Sequence, residues 1–129
     1  MPRFRLLFVL LATLTLAGWA APSYAAPPTA PALAYTATAR ISDAHPHHNE
    51  RVTVTGTLRG TKVAGATMTA TWHYKTTTST CTGLTNTKGV ASCTRDISRA
   101  TSGRAVAVTI RFTRAGATLA STATSFTPR

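Results

Sequence analysis

Ala66-Thr67-Met68-Thr69-Ala70-Thr71-Trp72-His73-Tyr74-Lys75 alternates without a break, with Ala66, Met68, Ala70, Trp72 and Tyr74 on one side and Thr67, Thr69, Thr71, His73 and Lys75 on the other. A period of two marks a β-strand with one face in a core and one in water, because successive side chains on an extended backbone point to opposite faces. The threonines reinforce the reading, since β-branched side chains lose rotamer freedom in a helix and pack well on a pleated surface.

The same alternation extends outward from this strand. Leu33, Tyr35, Ala37, Ala39 and Ile41 alternate with Thr36, Thr38 and Arg40, and Val52, Val54 and Leu58 alternate with Thr53, Thr55 and Thr57. Val106, Val108, Ile110 and Phe112 face away from Ala107, Thr109, Arg111 and Thr113. Weaker strands are predicted over residues 77–82, 90–97 and 118–126, which brings the total to about seven. Turn-like stretches at 45–50, 60–65, 84–89, 98–103 and 115–116 separate them. Seven short strands with turns at this spacing predict an all-β chain, a single immunoglobulin-like antiparallel β-sandwich over residues 33–129. Trp72 on the third strand stands where such a sandwich buries its indole.

Ahead of this domain, Arg3 and Arg5 precede an apolar run from Leu6 to Ala17, and Ser23-Tyr24-Ala25 supplies small residues where a signal peptidase reads. The pattern predicts a secretory signal peptide over residues 1–25. The apolar run is about 12 residues, short of the roughly 20 that a spanning helix needs. Residues 26–32 hold Pro27, Pro28 and Pro31 and read as an extended linker. Release from the cell is the expected fate.

The chain has 129 residues, 14 Lys and Arg against only three acids, Asp43, Glu50 and Asp96, and a formal charge of +11. Loss of Arg3 and Arg5 with the signal peptide leaves twelve basic side chains and a net charge of +9. One domain of ordinary size is the ceiling at this length, so a multidomain enzyme is excluded. At 43% hydrophobic and 13% charged residues the composition is not that of a disordered chain.

Cys81 and Cys93 are the only cysteines. Export puts them in an oxidising compartment, where a disulfide is expected. Because they flank the 84–89 turn, they are predicted to face each other across a hairpin. Closing a loop of about 13 residues would stabilise the fold by roughly 3 kcal/mol.

From Val63 to Val108 the chain resembles bacterial immunoglobulin-like domains of the invasin/intimin (Big-1) type found in surface adhesins. Val63-Ala64-Gly65-Ala66, Thr71-Trp72, the run Gly83-Leu84-Thr85-Asn86-Thr87-Lys88-Gly89-Val90-Ala91, and Gly103 carry the resemblance. These motifs are architectural: Gly65 opens a strand, and Asn86 to Gly89 forms a tight turn that needs a residue tolerant of positive φ. The resemblance implies an extracellular role in binding or structure and maps no ligand residue onto this chain. It departs from the family pattern in carrying Asn86 where aspartate is common.

Three constellations could carry chemistry. His45, His47 and His48, between Asp43 and Glu50, are the one cluster of metal-capable side chains, and they offer an alternative reading as a small metal or ligand carrier. Catalysis is not expected, because three scattered acids give no carboxylate pair and neither G-x-S-x-G nor H-E-x-x-H occurs. Asp96, between Arg95 and Arg99, reads as a local ion-pair partner. No cofactor is implied.

Arg40, Arg51, Arg59, Lys75, Arg95, Arg99, Arg104, Arg111 and Arg114 fall mostly on outward positions or turns, which predicts a positive surface. An anionic cell-envelope polymer or another extracellular protein is the expected partner, with Arg104, Arg111 and Arg114 as candidate binding residues. Sequence-specific nucleic-acid binding is not expected, since Trp72, Tyr74 and Phe112 fall on inward faces and are not available as stacking platforms. The alternate threonines could also form a flat hydroxyl-methyl array of the kind that binds ice, although sheet twist works against the flatness required.

Overall fold

The computed structural model describes residues 35–129. The predicted signal peptide, the linker and the first two residues of the predicted domain lie outside the described residues.

Seven strands follow in order: β1 (Thr36–Ile41), β2 (Arg51–Arg59), β3 (Thr67–His73), β4 (Thr78–Leu84), β5 (Val90–Asp96), β6 (Val106–Arg114) and β7 (Ala117–Phe126), with no helix among the described residues. They form two antiparallel sheets, β1-β2-β5 and β4-β3-β6-β7. The chain is an immunoglobulin-like β-sandwich in which β4 lies beside β3, whereas the constant-type arrangement places the fourth strand in the first sheet.

The inward faces are those the alternation marks. Val52, Val54 and Leu58 of β2 meet Ala66, Met68, Ala70 and Trp72 on and beside β3, and Val106, Val108, Ile110 and Phe112 of β6, all buried. Register sets Met68 beside Phe112, Ala70 beside Ile110 and Trp72 beside Val108. The Trp72 ring meets Phe126 edge-on at 5.7 Å and 65°. Gly56 interrupts the apolar face of β2 for a steric reason: a Cβ there would lie 2.8 Å from both Met68 Sδ and Phe112 Cζ. The gap in the β2 pattern is space that two large side chains fill.

The disulfide corrects the hairpin expectation. Cys81 and Cys93 are bonded, with Cα atoms 6.1 Å apart. However, β4 pairs with β3 and β5 pairs with β2, so each cysteine stands on the outermost strand of a different sheet. The loop between them is an arch that crosses from one sheet to the other. Its crossing is fixed by Thr85, which is buried. Thr85 Oγ1 accepts from Ala66 N (2.8 Å) and donates to the Val63 carbonyl, while Thr85 N donates to Ala66 O (2.9 Å). Beyond it, Asn86 Oδ1 accepts from Lys88 N and Val90 N, and Gly89 turns the chain at φ 77°. The segments 63–66 and 83–91 are therefore one hydrogen-bonded unit.

On the opposite side of the sandwich, backbone hydrogen bonds join the segments that follow β7 and β1. Thr127 N donates to Ala44 O (2.9 Å) and Arg129 N to Pro46 O (3.0 Å), so the chain beyond β7 pairs with the segment that follows β1. Pro46 and Pro128 are fully buried there. The two sheets are thus tied together on both sides, by a covalent bond between β4 and β5 and by hydrogen bonds beyond the ends of β1 and β7.

Candidate functional site

The three carboxylates are all used locally. Asp43 Oδ1 accepts from His45 N (2.8 Å), Glu50 Oε2 from His47 N (2.7 Å) and Asp96 Oδ1 from Ser98 N (2.6 Å). Each acid stabilises its own loop by satisfying a backbone donor. Asp96, expected as an ion-pair partner of Arg95 or Arg99, is given a different task as the cap of the turn after β5.

The histidines occupy the loop between β1 and β2. His45, His47 and His48 are exposed, while Pro46 between them is buried and turns its neighbours outward. His45 Nδ1 lies 3.3 Å from Thr127 O. Among the described residues no three His, Cys, Asp or Glu side chains gather as a metal-binding group.

Arg104, Arg111 and Arg114 do not converge. Arg104 is exposed in the loop before β6, Arg111 is exposed within it and Arg114 ends it, so the outer two are roughly 30 Å apart at the rise of an extended strand. Arg111 stands alone among hydroxyls, between Thr69 and Ser121 across the strands. Arg114 is half-buried and donates to Lys62 O (2.8 Å) and Ala64 O (2.7 Å). Its side chain ties the β2–β3 loop to the end of β6. The parity of Arg114 matches that of Phe112, but Arg114 lies one residue beyond the last β3–β6 pair, Thr67 and Thr113, where its side chain meets the β2–β3 loop and not the core.

Around Arg111 the outer face of the four-stranded sheet is a hydroxyl surface. In register across β4, β3 and β6 lie Thr82, Thr69 and Arg111, then Thr80, Thr71 and Thr109. Thr109 Oγ1 lies 3.0 Å from His73 Nε2, and on the other sheet Thr53 and Thr94 share a 2.7 Å hydroxyl contact.

A concavity lined by several cations was not recognised as a site from the sequence. It lies between the β3–β4 turn and the β5–β6 loop, has a volume of about 340 Å³, and is lined by Tyr74, Lys75, Arg95, Asp96 and Arg99 together with several hydroxyls. Tyr74 N donates to Thr77 O (2.9 Å), which closes the first turn, and Ala100 N donates to Ile97 O (3.0 Å) in the second loop. Arg95 Nη1 donates to Thr80 O (2.7 Å), across the same edge that the disulfide spans. Burial raises the Tyr74 pKa above its ordinary 10.0, with the Arg95 charge opposing the rise and Asp96 adding to it. Lys75, Arg95 and Arg99 are 20 or more residues apart in two groups, and nothing in their local sequence shows that the fold brings them together.

Comparisons of the chain with protein-family models, with curated proteins and with solved structures give no match.

Proposed function

We propose that this protein is a secreted, non-catalytic immunoglobulin-like module, related in kind to the bacterial adhesin domains, that binds anionic polymer at the cell surface or in the extracellular matrix. The observation that carries this reading is the fate of its acids. Only three side-chain carboxylates oppose the twelve Lys and Arg that remain after loss of the signal peptide, and each of the three is held by a backbone N–H of its own loop. The net charge is therefore strongly positive, and it attracts polyanions through long-range electrostatics.

Binding to a phosphodiester polymer, a uronic-acid polymer and DNA should be indifferent to base sequence and should weaken steeply with salt, as counterion release requires. Titrations of each polymer against the purified protein at about 50 and 200 mM salt test this. Absence of binding to all three at the lower salt, or capture of an uncharged partner with equal strength at both, refutes it.

A further inference from the structure

We infer that the cleft between the β3–β4 turn and the β5–β6 loop is a binding site for one oxyanion-bearing, hydroxyl-rich unit, such as a phosphate- or carboxylate-substituted sugar. This deepens the proposed polymer binding, on which its biological use rests. Its size decides the scale of the ligand. About 340 Å³ sits at the low end of the roughly 300–1,000 Å³ of small-molecule sites, enough for one ring-sized unit and not for a length of chain.

Its lining decides the chemistry. Lys75 comes from the first loop, Arg95 from the end of β5 and Arg99 from the second loop, so three cations from separate segments face one hollow. The single carboxylate there, Asp96, already accepts the short bond from Ser98 N. Arg95 is aimed by its bond to Thr80 O, which uses Nη1 and leaves the remaining guanidinium donors for an oxyanion. Thr76, Thr77, Ser79 and Thr101 add hydroxyls suited to a sugar ring, and Tyr74 supplies a half-buried phenol. Apolar lining is limited, which disfavours a lipid or an aromatic ligand.

The test titrates the purified protein with inorganic phosphate, a sugar phosphate and glucuronate, following backbone amide shifts, with the polymer titrations in parallel. Saturable shifts confined to residues 74–79 and 95–101 are expected, and preference between the two sugar acids identifies the source of the oxyanion. Lys75→Gln/Arg99→Gln, both at exposed loop positions, should weaken sugar-acid binding roughly tenfold. Arg40→Gln/Arg51→Gln, which removes the same charge elsewhere, should change it less than about twofold. Arg95→Gln provides a second, independent loss. Shifts spread over the whole basic surface, or equal effects of the two double variants, overturn the site. If Lys75→Gln/Arg99→Gln abolishes sugar-acid binding and leaves polymer binding intact, the cleft is not the polymer's contact and its proposed use is refuted while the polymer reading stands. If the sugar acids bind in the cleft and no polymer binds, the polymer reading fails and the site stands.

Discussion

Gly83 packs against the carbonyl of Ser92, so that a Cβ added at Gly83 would lie 2.9 Å from that oxygen. The two residues belong to different sheets, and the Cys81–Cys93 bond lies beside them on the same two strands. Glycine therefore sets how closely the edges approach, and the disulfide holds them there. Gly83→Ala should cost about 1–3 kcal/mol in urea unfolding, because the obstacle is backbone and not a movable side chain. Replacing both cysteines by alanine should cost roughly 2–4 kcal/mol. The three substitutions together should cost less than the sum, since without the bond the edges can part to accept the new methyl. Strict additivity would show that the glycine and the disulfide act independently.

Arg114 makes a second prediction. Its two guanidinium nitrogens reach two carbonyls of the β2–β3 loop, a fork that a single ammonium cannot reproduce. Arg114→Lys should destabilise by about 1–2 kcal/mol and should raise amide exchange over residues 62–66. Unchanged exchange there would show that the loop holds its shape without the clamp.

What the sequence reveals and what it hides divide along physical lines. The strands and their inward faces were legible because period-two burial is a local property, as Val106 to Phe112 shows. Gly56 breaks the apolar series of β2, and only the packing of Met68 and Phe112 explains it. The hairpin expectation for Cys81 and Cys93 failed because a turn that reverses a strand within a sheet and an arch that changes sheets can share the same turn residues. Thr85 makes the difference, through side-chain bonds to Val63 and Ala66 about 20 residues away in sequence. Likewise, charge was legible and its arrangement was not. Arg104, Arg111 and Arg114 are neighbours along the chain and scatter along a strand, whereas Lys75, Arg95 and Arg99 meet through the fold.

Trp72 supports a prediction about the core. The indole is fully buried, and its Nε1 has no hydrogen-bond partner in the structure. An orphaned buried donor costs about 1–3 kcal/mol, so the ring stabilises through its bulk in spite of its N–H. Trp72→Ala should cost about 3–5 kcal/mol by leaving a cavity between the sheets. Trp72→Phe loses less volume and also removes the orphan, and should cost no more than about 1.5 kcal/mol. Equal losses for the two variants in denaturant unfolding would show that shape complementarity to the indole outweighs the unpaired donor.

The last prediction concerns pH and tests how the cation-lined cleft is assembled. A phenol is neutral when protonated, so burial favours the protonated form and lifts Tyr74 above 10.0, while the positive charge of Arg95 pulls in the opposite direction. A pKa higher in the folded than in the unfolded state means that the native protein holds this proton more tightly. The stabilisation linked to Tyr74 is therefore fully present below the unfolded value and is lost as pH rises through the folded one, a window that opens near 10.0 and extends upward. Tyr74→Phe should flatten the decline of stability in that window, as read by urea unfolding at a series of alkaline pH values. Arg95→Gln should move the Tyr74 transition further up, measured as the phenolate absorbance that disappears in the corresponding Tyr74→Phe protein. A shift downward would mean that the Arg95 guanidinium does not face the phenol, and the two would then not share one cleft.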